Sequence, residues 1–246
     1  MNLQAWLSCK KFFLWSDKIW PILIYLGFVV LIIGWGLGLF IAPIDAQQGD
    51  AYRIIFVHVP CASGGMVIYL SLTVASIVYW IWRIHLADII VVAFAPIGAL
   101  LTFLALITGS IWGKPMWGDW WVWDARLTSC LILLFFYLGI IALRQAMGNN
   151  EQASRACSLL VIIGSINLPI IHYSVNWWHT LHQPATLLAW QVPTMNKAML
   201  LPLIISMLGL ACVTFAIGIL NANKNIIHRY YYKDYIQNWL EVFDVS

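Results

Sequence analysis

IIVVAFAPIGALLTFLALITGSIWG, residues 89–113, runs for 25 positions without a charged side chain. A helix that crosses a bilayer needs about 20 predominantly apolar residues. In hydrocarbon the backbone has no water to pair with, so such a run must satisfy its own N–H and C=O groups and is predicted to be helical. Five more uncharged runs of this kind follow the same logic: Ile19–Ile44, Ile54–Trp82, Leu127–Leu143, Ala156–Ile171 and Ala198–Asn223. The fourth and fifth spans in chain order are near the short limit, and each is flanked by residues that can continue a helix. The predicted fold is an all-α integral membrane protein, a bundle of six transmembrane helices. Composition agrees: 62% of the residues are hydrophobic, only 9% are charged and mean hydropathy is +0.84, whereas a soluble domain carries about 25% charged residues. The first run follows Lys18 directly, is long enough to span and lacks a small-residue cleavage site, so it reads as a retained helix.

Several functions are excluded by what the chain lacks. A net charge of +3, scattered along the chain, offers no basic stripe for nucleic acid. The five cysteines are widely spaced with no C-x-x-C pair, which argues for buried thiols rather than a disulfide framework or a zinc site. Gly109–Pro115 superficially resembles a phosphate-binding loop but is one residue short and has Pro115 where Ser or Thr belongs, so no ATP is bound by this chain.

Basic residues set the expected orientation. An even number of spans puts both termini on one side, together with nine of the thirteen Lys and Arg residues. Only Arg53, Lys114, Arg126 and Lys197 lie on the other. Both termini are therefore expected to be cytoplasmic. The segments around Asp45–Arg53, Lys114–Arg126 and Asn176–Lys197 are expected to face outward.

The outward segment between the third and fourth spans reads Trp117-Gly-Asp-Trp-Trp-Val-Trp-Asp-Ala-Arg-Leu-Thr128, with four tryptophans in seven residues. An interfacial aromatic belt needs one or two per helix end. This density suggests a shelf for a large, flat, apolar ligand, since indole offers the widest flat surface of any side chain. Trp117, Trp120, Trp121 and Asp124 follow i, i+3, i+4, i+7 spacing, so the segment is expected to be a loop or a short interfacial helix presenting them on one face.

Histidines supply the second half of the reading. His85 and His228 lie among cytoplasmic charges and are expected to be solvated. His172, after Pro169, reads as a structural hydrogen-bonding residue. His58 lies at or just before the regular start of the second span, followed by Val59, Pro60, Cys61, Ala62, Ser63 and two glycines; an ionisable group there is a functional hypothesis by default. His182 sits in Trp177-Trp-His-Thr-Leu-His-Gln-Pro184 on a different outward segment, with His179 as its competitor one helical turn away. Imidazole is a common axial ligand of haem iron. Two separate outward segments could supply two ligands from opposite sides, His58 and His182. Arg53, Lys114 and Arg126 are candidate cations for porphyrin carboxylates, although Asp124 and Arg126 could simply pair with one another.

Trp-Gly-x-Trp-Trp-x-Trp-Asp-x-Arg-Leu-Thr, the Val-His-Val-Pro around His58 and the Thr-Leu-His-Gln around His182 resemble the CcmC family, the haem exporter proteins C of cytochrome c maturation, whose signature is a tryptophan-rich "WWD" segment. The resemblance covers nearly the whole chain. It implies a single haem-handling transmembrane domain over residues 1–246, with spans near 19–43, 54–82, 89–111, 127–147, 156–175 and 198–221. It further implies that haem b is held at the periplasmic face of the bacterial inner membrane by His58 and His182 as axial ligands. Trp117, Trp120, Trp121, Trp123, Asp124 and Arg126 would lie against the macrocycle. Presentation of that haem to the chaperone CcmE, beside CcmA, CcmB and CcmD, is implied as well, for an assembly factor that is not itself an enzyme. A haem or small-solute permease subunit of an ABC-type transporter is the alternative; polar groups at mid-depth of the spans would mark it, and here the candidate groups gather at one face.

Overall fold

The structure is a computed structural model that describes residues 8–178, 180–182 and 195–244. Among these residues eight α-helices follow in chain order: α1 (Cys9–Gly36), α2 (Ile55–Trp82), α3 (His85–Trp117), α4 (Ala125–Met147), α5 (Glu151–Gly164), α6 (Asn167–Trp177), α7 (Lys197–Tyr230) and α8 (Asp234–Asp244). Among the described residues six segments are long and apolar enough to cross a membrane: Cys9–Ile41, Asp50–Trp82, His85–Trp117, Ala125–Met147, Glu151–Trp177 and Lys197–Tyr230. The protein is thus an all-α integral membrane protein. The spans run up and down, which collects residues 42–54, 118–124, 178 and 180–182 at one end of the bundle. At the opposite end the first and last helices meet, where Phe13 of α1 packs edge-on against Tyr235 and Trp239 of α8.

α3 is the central helix, buried along most of its length between α2, α4 and α7. α1 lies against α7, and the two approach closely because glycine removes side chains at the crossing. A Cβ on Gly34 would stand 2.6 Å from the Ser206 nitrogen, and one on Gly209 would stand 2.5 Å from that of Leu31. Small residues at such a crossing let packing, rather than a hydrophobic drive that lipid cannot supply, hold two membrane helices together. The fifth span is two helices. Pro169 has no N–H to give the Ser165 carbonyl four residues back, so α5 ends at Gly164 and α6 restarts at Asn167.

Asp88 is not a solvated loop residue. It lies in the first turn of α3, is 1% exposed, and is gripped from both sides. Arg144 of α4 bonds one carboxylate oxygen, and Arg229 of α7 bonds the other at 2.7 Å. Arg144 also reaches Ser154 of α5 at 3.2 Å. Arg144 and Arg229, which count separately as basic residues of one side in the sequence, are thereby joined through Asp88 into one knot across four helices at the end opposite His58. His85 and His228 are exposed, as expected.

Candidate functional site

His58 sits one turn inside α2, which begins at Ile55, so it lies within the helix rather than at or before its start. Pro60 follows two residues later. Its missing N–H leaves the Phe56 carbonyl without a helical donor, and the indole N–H of Trp35 in α1 fills that gap at 3.1 Å. A small apolar cluster of Tyr52, Phe56, Leu203 and Ala42 anchors this end of α2. Tyr52 donates to the Pro43 carbonyl at 2.5 Å. The helix start that carries His58 is thereby fixed from two sides.

The half-buried His58 ring faces α3. Its Nδ1 is 3.0 Å from the Thr108 hydroxyl, it stands edge-on to Trp112 at 5.6 Å, and it lies over Gly109, whose missing Cβ leaves the room it occupies. Trp112 is held in turn by Gln48, which accepts its indole N–H at 3.1 Å.

The tryptophan-rich segment is not an interfacial helix. Trp117 is the last residue of α3, and Gly118 ends the helix in the left-handed conformation, φ 86°, which glycine adopts without strain. Residues 119–124 are irregular until Asp124 caps α4, its Oδ1 accepting from the Leu127 backbone N–H at 2.7 Å. The helical spacing of Trp117, Trp120, Trp121 and Asp124 therefore does not place them on one helical face. Trp120 and Trp123 are 59% and 75% exposed. Trp121 meets Trp123 edge-on at 5.4 Å, and its buried indole N–H has no hydrogen-bond partner among the described residues. Trp177 and Trp178, from the end of α6, are also exposed.

Asp124 does a second job. Its Oδ2 is 2.9 Å from Nδ1 of His182, whose ring also meets Trp117 at 4.8 Å. The pairing that the sequence left open, Asp124 with Arg126, is thus one in which Asp124 divides its oxygens between the α4 cap and His182. The two histidines converge on the same end of α3. Thr108 and Trp112, which touch His58, precede Trp117, which touches His182, by about 14 and 8 Å along the helix axis at 1.5 Å per residue. His179 lies outside the described residues.

Of the three outward cations, Arg53 is paired with Asp50 at 2.8 Å and donates to the Gly38 carbonyl. Lys114 donates to the Gly118 carbonyl at 2.7 Å, closing the end of α3. Arg126 reaches the His172 carbonyl of α6 at 3.4 Å.

Burial holds the His182 imidazole below its ordinary value of 6.5, and the hydrogen bond to Asp124 opposes that only in part. His182 is therefore neutral at pH 7, as a metal ligand must be. With the folded value depressed, its stabilising contribution is present above about 6.5 and fades as pH falls. An NMR titration of His182 in the haem-free chain is expected to show a midpoint below that of a free histidine side chain. A midpoint above it would mean that Asp124 outweighs burial.

Thr108, Gly109, Trp112 and Gln48 were not singled out in the sequence. Thr108 and Gly109 lie inside an apolar run where small and hydroxyl residues ordinarily serve packing. Only the register between α2 and α3 reveals that they surround His58.

Comparison with known proteins gives a consistent picture. The family model described as "Heme exporter protein C" matches residues 2–237. The chain is 49% identical over 207 residues to the heme exporter protein C of Escherichia coli, covering 84% of this chain and 83% of that one. It is 44% identical over 189 residues to that of Bradyrhizobium diazoefficiens, covering 77% and 72%. With the protein of the same name from Paracoccus denitrificans it shares 37% identity over 232 residues, covering 93% and 95%.

Proposed function

This chain belongs to the heme exporter protein C family, and from that premise we propose that it binds haem b at the histidine end of the bundle and presents it to the haem chaperone CcmE. His58 and His182 are the axial ligands. Trp117, Trp120, Trp121, Trp123, Asp124 and Arg126 form the surround of the macrocycle. The unit is a single haem-handling domain in the bacterial inner membrane, with the haem end periplasmic and both termini cytoplasmic. It works as an assembly factor rather than a turnover enzyme, in a membrane complex with CcmA, CcmB and CcmD.

One observation carries this reading. Both imidazoles engage a partner through Nδ1, His58 at Thr108 and His182 at Asp124, which leaves both Nε2 atoms for a metal. Metal-bound histidines are held in this way, by a hydrogen bond from the other ring nitrogen. The donor set also fits the group in its softness and shape: neutral imidazoles suit haem iron, and exposed indoles on an irregular loop offer stacking area that can be released when the haem moves on. The buried Trp121 N–H, without a partner among the described residues, and the Arg126 guanidinium suit the carboxylate edge of a porphyrin. An exposed shelf at the bundle end suits transfer better than a sealed core.

The test is co-production with CcmE and its partners in cells making haem, followed by measurement of haem covalently attached to the chaperone. The parent chain is expected to support attachment. A Trp120→Ala/Trp123→Ala chain, which loses two exposed surfaces and no buried contact, should insert normally and lose most of it. Unchanged attachment with that variant would remove the exposed indoles from the transfer step.

A further inference from the structure

We infer that Thr108 is a positioning residue for haem, one that fixes the His58 imidazole with its proton on Nδ1 and a bare Nε2; this rests on the haem-binding reading above. The inference follows from counting protons. The Thr108 hydroxyl has a single hydrogen and lies 2.7 Å from the Leu104 carbonyl and 3.2 Å from the Ala105 carbonyl. Both are acceptors only, and the 2.7 Å contact to Leu104 is shorter than the 3.0 Å contact to Nδ1, so we assign the hydroxyl proton to the α3 backbone. Its remaining lone pair faces His58 Nδ1 at 3.0 Å, and that contact is a hydrogen bond only if Nδ1 carries the hydrogen. A neutral imidazole has one N–H, so Nε2 keeps its lone pair.

A threonine bonded to the carbonyl four residues back is common in membrane helices and usually acts within its own helix. Here a third group sits on the same oxygen. A neutral histidine side chain left to itself favours the other tautomer, with the proton on Nε2, where it would block a metal. Thr108 reverses that preference before any haem arrives. The neighbouring turn of α3 fixes the ring position as well. A Cβ on Gly109 would stand 3.0 Å from His58 Cε1, and Trp112 closes the far edge at 5.6 Å. Thr108 does for His58 what Asp124 does for His182, through a neutral acceptor rather than a charged one.

The experiment uses the full chain in lipid nanodiscs with ¹⁵N-labelled histidine, comparing the parent, Thr108→Val, which keeps the shape and loses the hydroxyl, and Thr108→Ser, which keeps the hydroxyl. In the haem-free parent, His58 is expected to show a protonated Nδ1 and a bare Nε2, with its signals assigned by their loss in His58→Gln. Thr108→Ser should match the parent, and Thr108→Val should move the proton to Nε2 wholly or in part. Affinity for added haem should fall by about 10- to 100-fold in Thr108→Val, the usual cost of losing a partner that orients a ligand, and recover in Thr108→Ser. A proton on Nε2 in the parent would overturn the inference, and this alone decides it should Thr108→Val fail to insert. An unshifted tautomer with unchanged affinity in Thr108→Val, where the parent binds haem, would overturn the role of Thr108 and leave the haem reading standing. A parent that binds no haem would overturn that reading and the inference with it.

Discussion

Purified His58→Ala protein is expected to carry less than about a tenth of the haem of the parent, measured as haem per chain, because loss of a ligand costs at least what loss of a ligand's orienting partner does. The substitution should leave the bundle intact. His58 is half-buried and sets its ring against Thr108, Gly109 and Trp112, while the structural work at this end of α2 is done by Phe56, Tyr52 and Trp35. Any haem that remains should be five-coordinate and high-spin, held by His182 and the indoles. Retention of parental haem content with an unaltered visible spectrum would eliminate His58 as a ligand.

The second large effect lies at the other end of the molecule. Asp88→Ala should destabilise the chain by about 3–5 kcal/mol, the typical cost of removing one partner from a buried ion pair. Both Arg144 and Arg229 lose their carboxylate together, and the Arg144 side chain is only 9% exposed. Thermal unfolding in detergent checks this, with Asp88→Asn expected to fall between the two because it keeps an acceptor but not the charge. An Asp88→Ala chain as stable as the parent would mean that the two guanidinium groups are already solvated. Haem binding should be less affected than stability, since the knot and the histidines are at opposite ends.

The spans were legible because the membrane imposes a single rule on every residue of a crossing segment, and Ile89–Gly113 obeys it without exception. The gathering of His58, the tryptophan segment and His182 at one end was legible too, since alternating spans send those segments the same way. For the tryptophan segment the sequence allowed a loop or a short interfacial helix, and the loop is what forms: the periodicity across Trp117, Trp120, Trp121 and Asp124 gives way to Gly118 and Asp124, the stop and start signals of two separate helices. There, local backbone chemistry outweighed spacing. Asp88 and Thr108 were out of reach for a different reason. The partners of Asp88 are 56 and 141 residues away, and Thr108 meets His58 from 50 residues away. No local pattern encodes those registers; they are fixed when α3 packs against α2, α4 and α7.

The structure also separates two roles that the sequence ran together. Asp124 is at once a helix cap and the orienting partner of His182, so its replacement would disturb the start of α4 as well as the imidazole. Arg53 and Lys114 close turns at the rim, and Arg126 bonds the His172 carbonyl of α6.

Low-temperature electron paramagnetic resonance of the ferric, haem-loaded parent chain tests the central claim, that imidazoles from α2 and from the segment after α6 share one iron. The account predicts a low-spin signal with hyperfine coupling to two histidine nitrogens, lost when either His58 or His182 is replaced. A high-spin signal, or coupling to a single histidine nitrogen that survives replacement of His58, would contradict it.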